Sequence, residues 1–192
     1  MNSAFPHDRL FPPYLAASAL TAAIAWLFSL AMQQSAAFDL TGHVETLVPL
    51  AQLGVVSAPI IVALRGGVAA LTAWLVAGAL GAPLAFGSVA AGVLCWLPLL
   101  DLPAVIDATA MLLAPSADWN ANHVGIGLDA WFTGLSGRAR ILAQTIHPGW
   151  FAFAALLWRH LRRRMRPHEA VALPAALAAA LVLALLPLLR SG

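Results

Sequence analysis

Residues 47–80 read LVPLAQLGVVSAPIIVALRGGVAALTAWLVAGAL, an apolar run that holds a single charged side chain, Arg65. The run is apolar from Leu47 to Leu64, is interrupted by Arg65-Gly66-Gly67, and is apolar again from Val68 to Leu80 before the turn-forming Gly81-Ala82-Pro83. It can be drawn as two short segments or as one long helix. A helix over Val68–Leu80 alone covers only ~20 Å, too little to cross ~30 Å of hydrocarbon. One helix over residues 55–80, with Arg65 near its middle, is therefore the expectation.

The composition around this run points the same way. Of 192 residues, 61% are hydrophobic and 9% charged, with a mean hydropathy of +0.86. A soluble domain carries about 25% charged residues, so this chain has too few to cover a water-facing surface. The fold class expected is an all-α integral membrane protein: one domain over 1–192, a bundle of about five transmembrane helices. All ten basic residues are arginine, and the net charge is +2. That is too small to point to nucleic acid, and no nucleic-acid partner is expected. The lone Cys95 excludes an intramolecular disulfide and is read as a small packed hydrophobe.

Working outward, a first span is expected over residues 14–32, after the break Phe11-Pro12-Pro13. It is read as a retained anchor, because Met1–Asp8 lacks a basic start and Gln33-Gln34-Ser35 is a poor cleavage site. Asp39, Thr41, His43 and Glu45 then make an acidic loop. A third span is expected over 84–106, kinked at Pro98 and Pro103, with Asp101 in its second half and Asp107 at its edge. From Ser116 to Arg140 the chain is polar, with Asp118, Trp119, Asn120, Asn122, His123 and Asp129. Within it Leu128, Trp131, Phe132 and Leu135 recur at helical spacing, which predicts a short interfacial helix. The fourth and fifth spans are expected over 141–158 and 171–189.

Five of the ten arginines, Arg159, Arg162, Arg163, Arg164 and Arg166, lie between these last two spans. Arginine-rich short loops stay cytoplasmic, so both the basic turn and the amino terminus are expected inside, and residues 116–140 outside. The basic run is read as a topology anchor, with anionic lipid or partner contact as its alternative role.

From Leu53 to Leu189 the order of features resembles the Yip-domain family of bacterial type, named for proteins that interact with Ypt/Rab GTPases. The resemblance rests on a long span with Pro59 that ends in Leu80-Gly81-Ala82-Pro83, and on Phe86-Gly87-Ser88 leading to Trp96-Leu97-Pro98-Leu99-Leu100. After a polar loop come the aromatic Phe151-Ala152-Phe153 and Leu156-Leu157-Trp158, a basic turn and a plain last helix. What the resemblance implies is a membrane fold, not a reaction.

Motifs that could carry chemistry are sparse. Gly134-Leu135-Ser136-Gly137 matches the Gly-x-Ser-Gly of rhomboid intramembrane proteases, yet Arg138 and Arg140 follow at once, and a turn is the plainer reading. His147 and His160 are spaced for two haems along one helix, but the other spans supply no histidine pair. His123, His147 and Asp118 could gather around a metal, though ordinary loop polarity accounts for them. No cofactor or metal is expected.

Arg65, Asp101 and Asp107 are different, because a charge within a span costs about 2.5–3.5 kcal/mol near the centre. Depth suggests a partner. Arg65 lies about 15 Å below the start of its span and Asp101 roughly 8–12 Å below the same boundary, within snorkelling reach. A salt bridge between Arg65 and Asp101 is expected, with Asp107 the weaker candidate. The function expected is a non-enzymatic inner-membrane scaffold or accessory subunit, partnered by the lipid bilayer and other membrane proteins. The alternatives are a small transporter or channel component using Arg65, Asp101 and Asp107 as a polar path, and a hydrolase at Ser136.

Overall fold

The computed structural model describes residues 7–34, 44–113, 127–128, 131–132 and 134–190. Among these every regular element is helical. In chain order they are α1 (His7–Gln34), α2 (Val44–Ala79), α3 (Phe86–Trp96), a 3₁₀ segment (Leu97–Asp101), α4 (Leu102–Leu113), α5 (Gly137–Thr145), α6 (Pro148–Arg164) and α7 (Ala172–Leu185). Short 3₁₀ turns, Glu169–Val171 and Leu186–Arg190, flank α7. Four stretches are long and apolar enough to cross a membrane: Leu10–Ala31, Gln52–Ala79, Phe86–Leu113 and Glu169–Leu188. The pair Gly137–Thr145 and Pro148–Arg164, bent by 54°, makes a fifth if taken as one broken span.

Residues 47–79 lie in one helix, and it is longer than expected: α2 spans 36 residues and runs through Pro49 and Pro59. Helix α1 likewise starts at His7 and continues through Pro12 and Pro13, which the sequence reading had placed before the helix. Proline removes the N–H that would reach back four residues and crowds the carbonyl it would have met. Early in a helix that costs two bonds, from the carbonyls of Asp8 and Arg9. Tyr14 on α1 donates its hydroxyl to the Pro59 carbonyl at 3.0 Å, tying the two proline-bearing segments together.

The turn after α2 follows from its glycine. Gly81 has φ +79°. The Ala82 amide bonds the Ala77 carbonyl at 2.9 Å and the Gly81 amide bonds the Gly78 carbonyl at 3.1 Å, the paired bonds of a Schellman C-cap. Trp74 Nε1 then donates to the Leu84 carbonyl at 2.9 Å and locks the far side of the turn. No atom would crowd a Cβ on Gly81, so only backbone strain opposes a side chain there. Gly81→Ala should lower the melting temperature of the detergent-solubilised protein by an amount equivalent to about 1 kcal/mol. Gly81→Asn should lose less, since asparagine tolerates this region. Equal losses would point to a cause other than φ.

The short helix expected at Leu128–Leu135 is not formed among the described residues. Leu128 accepts the amides of Trp131 and Phe132 in a single turn, and the helix begins later, at Gly137. Gly134 at φ +88° lies in the left-handed region, where a right-handed helix cannot run, and Gly137 at φ +53° opens α5. Asp39, Thr41 and His43 of the acidic loop, and Asp118, Trp119, Asn120, Asn122, His123 and Asp129, lie outside the described residues; Glu45 falls within α2.

The helices sort their side chains by size, not by polarity. On α7 the buried positions are Ala172, Ala175, Ala176, Ala179, Ala180 and Ala184, with Leu183 the one larger side chain among them, while Leu173, Leu177, Leu181 and Leu185 are exposed. On α2, Ala69, Ala70, Ala73 and Ala77 are buried and Leu64, Leu71 and Leu75 face outward. Small residues let helix backbones approach closely, the packing mode of helices in lipid, and α2 is packed against α7 along this seam. Helix α6 supplies the bulk instead: Phe153, Leu157 and Leu161, at four-residue spacing, fill the space beside α3 and α7. Cys95 is exposed, not packed as expected, because it lies on the outward face of α3.

Candidate functional site: a polar cleft at Arg65

The interruption that positions the site is written in two prolines. In a continuous α-helix the amides of residues 98 and 103 would bond the carbonyls of Leu94 and Leu99; Pro98 and Pro103 have no N–H to give. The chain passes through the 3₁₀ segment Leu97–Asp101 instead, whose tighter winding places Asp101 against α1 and α2. Arg65 Nη1 donates to Asp101 Oδ1 at 2.7 Å, with 26% and 12% of the two side chains accessible. Thr21 on α1 has its hydroxyl 3.4 Å from the other carboxylate oxygen, Oδ2, and 3.0 Å from the Ala17 carbonyl, the two acceptors its one proton can serve. The carboxylate is thus held from two helices. Asp107 lies six residues further along, on α4, and makes interactions of its own.

Beside this pair is a half-open cleft of ≈ 510 Å³. One wall is the Ile61–Val68 part of α2, including Arg65; a second is Leu100, Pro103 and Ala104. Gln144, Thr145, His147 and Trp150 come from the bend between α5 and α6, and Leu183, Ala184, Leu186 and Pro187 from the end of α7. The surface is mostly apolar, with the guanidinium at its polar part.

The bend is fixed by its own hydrogen bonds. His147 caps α6, its Nδ1 accepting the Gly149 amide at 3.2 Å, with Pro148 in the favoured first helical position. The buried His147 ring also faces the backbone of Leu100. Trp150 Nε1 donates to the Ala180 carbonyl at 2.9 Å, and Thr145 Oγ1 donates to the Leu142 carbonyl at 2.8 Å. Gly149 packs directly on the Leu99 carbonyl, the group that Pro103 cannot serve, and a methyl there would collide with it.

The other residues singled out from the sequence are scattered. Ser136 is exposed and precedes α5 without a side-chain capping bond. His160 Nε2 meets the Ser88 carbonyl at 3.2 Å, in a notch left by Gly92, where a Cβ would come within 2.6 Å of the ring. In the basic run, Arg162 Nε pairs with Glu169 Oε2 at 2.6 Å and Arg166 Nε approaches Oε1 at 3.4 Å. The Arg162 guanidinium also lies 5.9 Å from the centre of the Trp158 ring. These contacts are largely exposed and stabilise little, while Arg159, Arg163 and Arg164 point outward. Among the described residues no three His, Cys, Asp or Glu side chains gather as a metal site.

Thr21, Thr145 and Trp150 belong to the site and were not singled out from the sequence. Thr21 is, with Ser18 and Ser29, among the few polar residues inside the α1 apolar run, which is the one signal that marked it. Comparison with family models, with curated proteins and with solved structures finds no match to this chain.

Proposed function

We propose that this chain is a non-enzymatic multi-pass protein of the bacterial inner membrane with a Yip-like bundle, and that its cleft at Arg65 binds a small solute as part of a transport or accessory complex. The observation that carries the binding reading is the half-open cleft reaching a guanidinium between otherwise apolar helices. The family reading is supported by the order of elements: a long α2, the Gly81 turn, a proline-broken third segment and a basic turn before the last helix. A scaffold rests on what the motifs lack, whereas the cleft is a positive feature, so binding is preferred.

Membrane insertion gives the cleft a definite level. Measured from the end of the bundle that carries the arginine run, Arg65 is about 21 Å along α2 from Ala79 and Pro148 about 24 Å along α6 from Arg164. Ala184 is about 23 Å from Glu169, and Asp101 about 25 Å from Phe86, allowing for the 3₁₀ rise. Four helices agree. In a core of ~30 Å the cleft then lies just beneath the boundary opposite the arginines.

Thiol accessibility tests the reading. In a Cys95→Ala background in lipid nanodiscs, Val68→Cys, which lines the cleft, should react with a charged methanethiosulfonate. Leu71→Cys, one turn away on the outward face, should not. If both are inert the cleft is dry, and the scaffold reading takes its place.

Orientation has its own test. In intact cells, and in the same background, Ser136→Cys should be labelled by an impermeant maleimide from outside, while His168→Cys should be labelled only after permeabilisation. The reverse pattern would invert the topology.

A further inference from the structure

We propose that the Arg65 cleft binds a single-chain carboxylic acid, with its head group on the guanidinium and its tail along the apolar wall; this deepens the binding reading above and rests on it. The first ground is the donor set. A guanidinium carries five N–H donors and no acceptor, and one nitrogen of Arg65 serves Asp101. The carboxylate of Asp101 is turned into the protein, held between Arg65 and Thr21. What the charged pair presents to the cleft is therefore donor surface, and the head group must bring acceptors.

Charge narrows the class. The ionised groups facing one another here are Arg65 and Asp101, with His147 as the neighbouring titratable ring. The pair is neutral, so a permanently charged anion would leave a surplus negative charge below the membrane boundary, where unpaired charge is costly. A carboxylic acid brings its own proton and adds no net charge. Its carbonyl suits the guanidinium, and its O–H needs an acceptor. Thr145 offers one on the cleft wall: its hydroxyl proton goes to the Leu142 carbonyl at 2.8 Å, with the Ala184 carbonyl 3.5 Å away, and its oxygen keeps two lone pairs.

Size and level supply the tail. The volume of ≈ 510 Å³ lies within the roughly 300–1,000 Å³ of small-ligand pockets. Leu64, Val68, Leu183 and Leu186 give it an apolar side. A site just beneath the boundary is where an amphiphile changes from polar head to chain. A short hydrophilic acid would leave that wall uncovered, and a fatty alcohol would leave the guanidinium without its carbonyl partner.

The experiment uses the full-length protein in zwitterionic nanodiscs with a diazirine-bearing analogue of dodecanoic acid, and maps adducts by mass spectrometry. Adducts are expected on the Leu183–Leu186 stretch and should be displaced by dodecanoic acid. Dodecyl sulfonate, dodecanol and acetate should each compete about tenfold or more weakly, the sulfonate for its surplus charge, the alcohol for its missing carbonyl and acetate for its missing tail. The double variant Arg65→Gln/Asp101→Asn, which keeps the site neutral and foldable, should lose labelling by a similar factor. Equal competition by the sulfonate would overturn the acid assignment, and labelling indifferent to the double variant would overturn the head-group placement. Adducts spread evenly over outward residues such as Leu75 and Leu181 would reject the site. If Val68→Cys is reactive and dodecanoic acid does not bind, this inference alone fails; an inert Val68→Cys removes the reading beneath it.

Discussion

Replacing Arg65 with alanine should destabilise the folded protein by about 3–5 kcal/mol, the cost of stranding one member of a buried ion pair. Asp101 is the less accessible partner, at 12% against 26%, so its carboxylate would be left with the Thr21 hydroxyl as its remaining side-chain partner. Asp101→Ala should cost less. The guanidinium it strands already borders the open cleft, where water can solvate it. In the double variant both charges are gone, and part of the loss should return. Thermal melts, or denaturant titrations in mixed micelles, of all four proteins give the coupling energy. Strictly additive losses would refute a direct interaction.

The second large effect is expected at Gly149. It is the second residue of α6, its amide is bound by the capping ring of His147, and a Cβ would drive into the Leu99 carbonyl and into that same ring. Neither obstacle is the free end of a flexible chain. One is backbone, and the other belongs to the cap. Gly149→Ala should cost at least the ~1–3 kcal/mol of ordinary overpacking. Because His147 and Leu100 border the cleft, it should also change the thiol reactivity at Val68→Cys. Gly67→Ala is the control: nothing lies within 4 Å of a Cβ there, and alanine should stabilise the helix by roughly 0.5–1 kcal/mol. Similar melting temperatures for the two alanine variants would remove the steric argument.

What could be read from the sequence was decided mostly by length and charge. The single helix expected over 55–80 follows from arithmetic on Val68–Leu80. The meeting of Arg65 and Asp101 follows from their depths, once neighbouring helices run antiparallel and a buried charge needs a partner. The start of α1 was placed late because Pro12-Pro13 reads as a break, although prolines near a helix start cost few bonds. The helix expected at Leu128–Leu135 is interrupted at Gly134, whose positive φ is a property of the folded turn and not of the apolar spacing.

Most of the cleft was invisible for a different reason. Its walls come from four separate stretches, and residues such as Leu183 and Pro187 carry no chemical signature. Thr145 and Trp150 could be noticed only as polar atoms near the His147-Pro148 break. Where Gly149 would touch the 3₁₀ segment could not be told from sequence, since that contact joins residues fifty positions apart. Proline-directed loss of N–H explains it only after the two segments are seen together.

The alanine seam between α2 and α7 has a mechanical consequence. Dispersion forfeits roughly a quarter to a half of its strength when a gap of 0.5–1 Å opens. Side chains that end at Cβ cannot swing out to follow a retreating neighbour, as leucine or methionine could. Cohesion along Ala69, Ala73, Ala176 and Ala180 is therefore brittle: nearly full when the backbones touch, and mostly gone after a small separation. Such a joint has little give before it parts. The bundle should hold its cleft at a fixed width and, when strained, release along the whole seam at once.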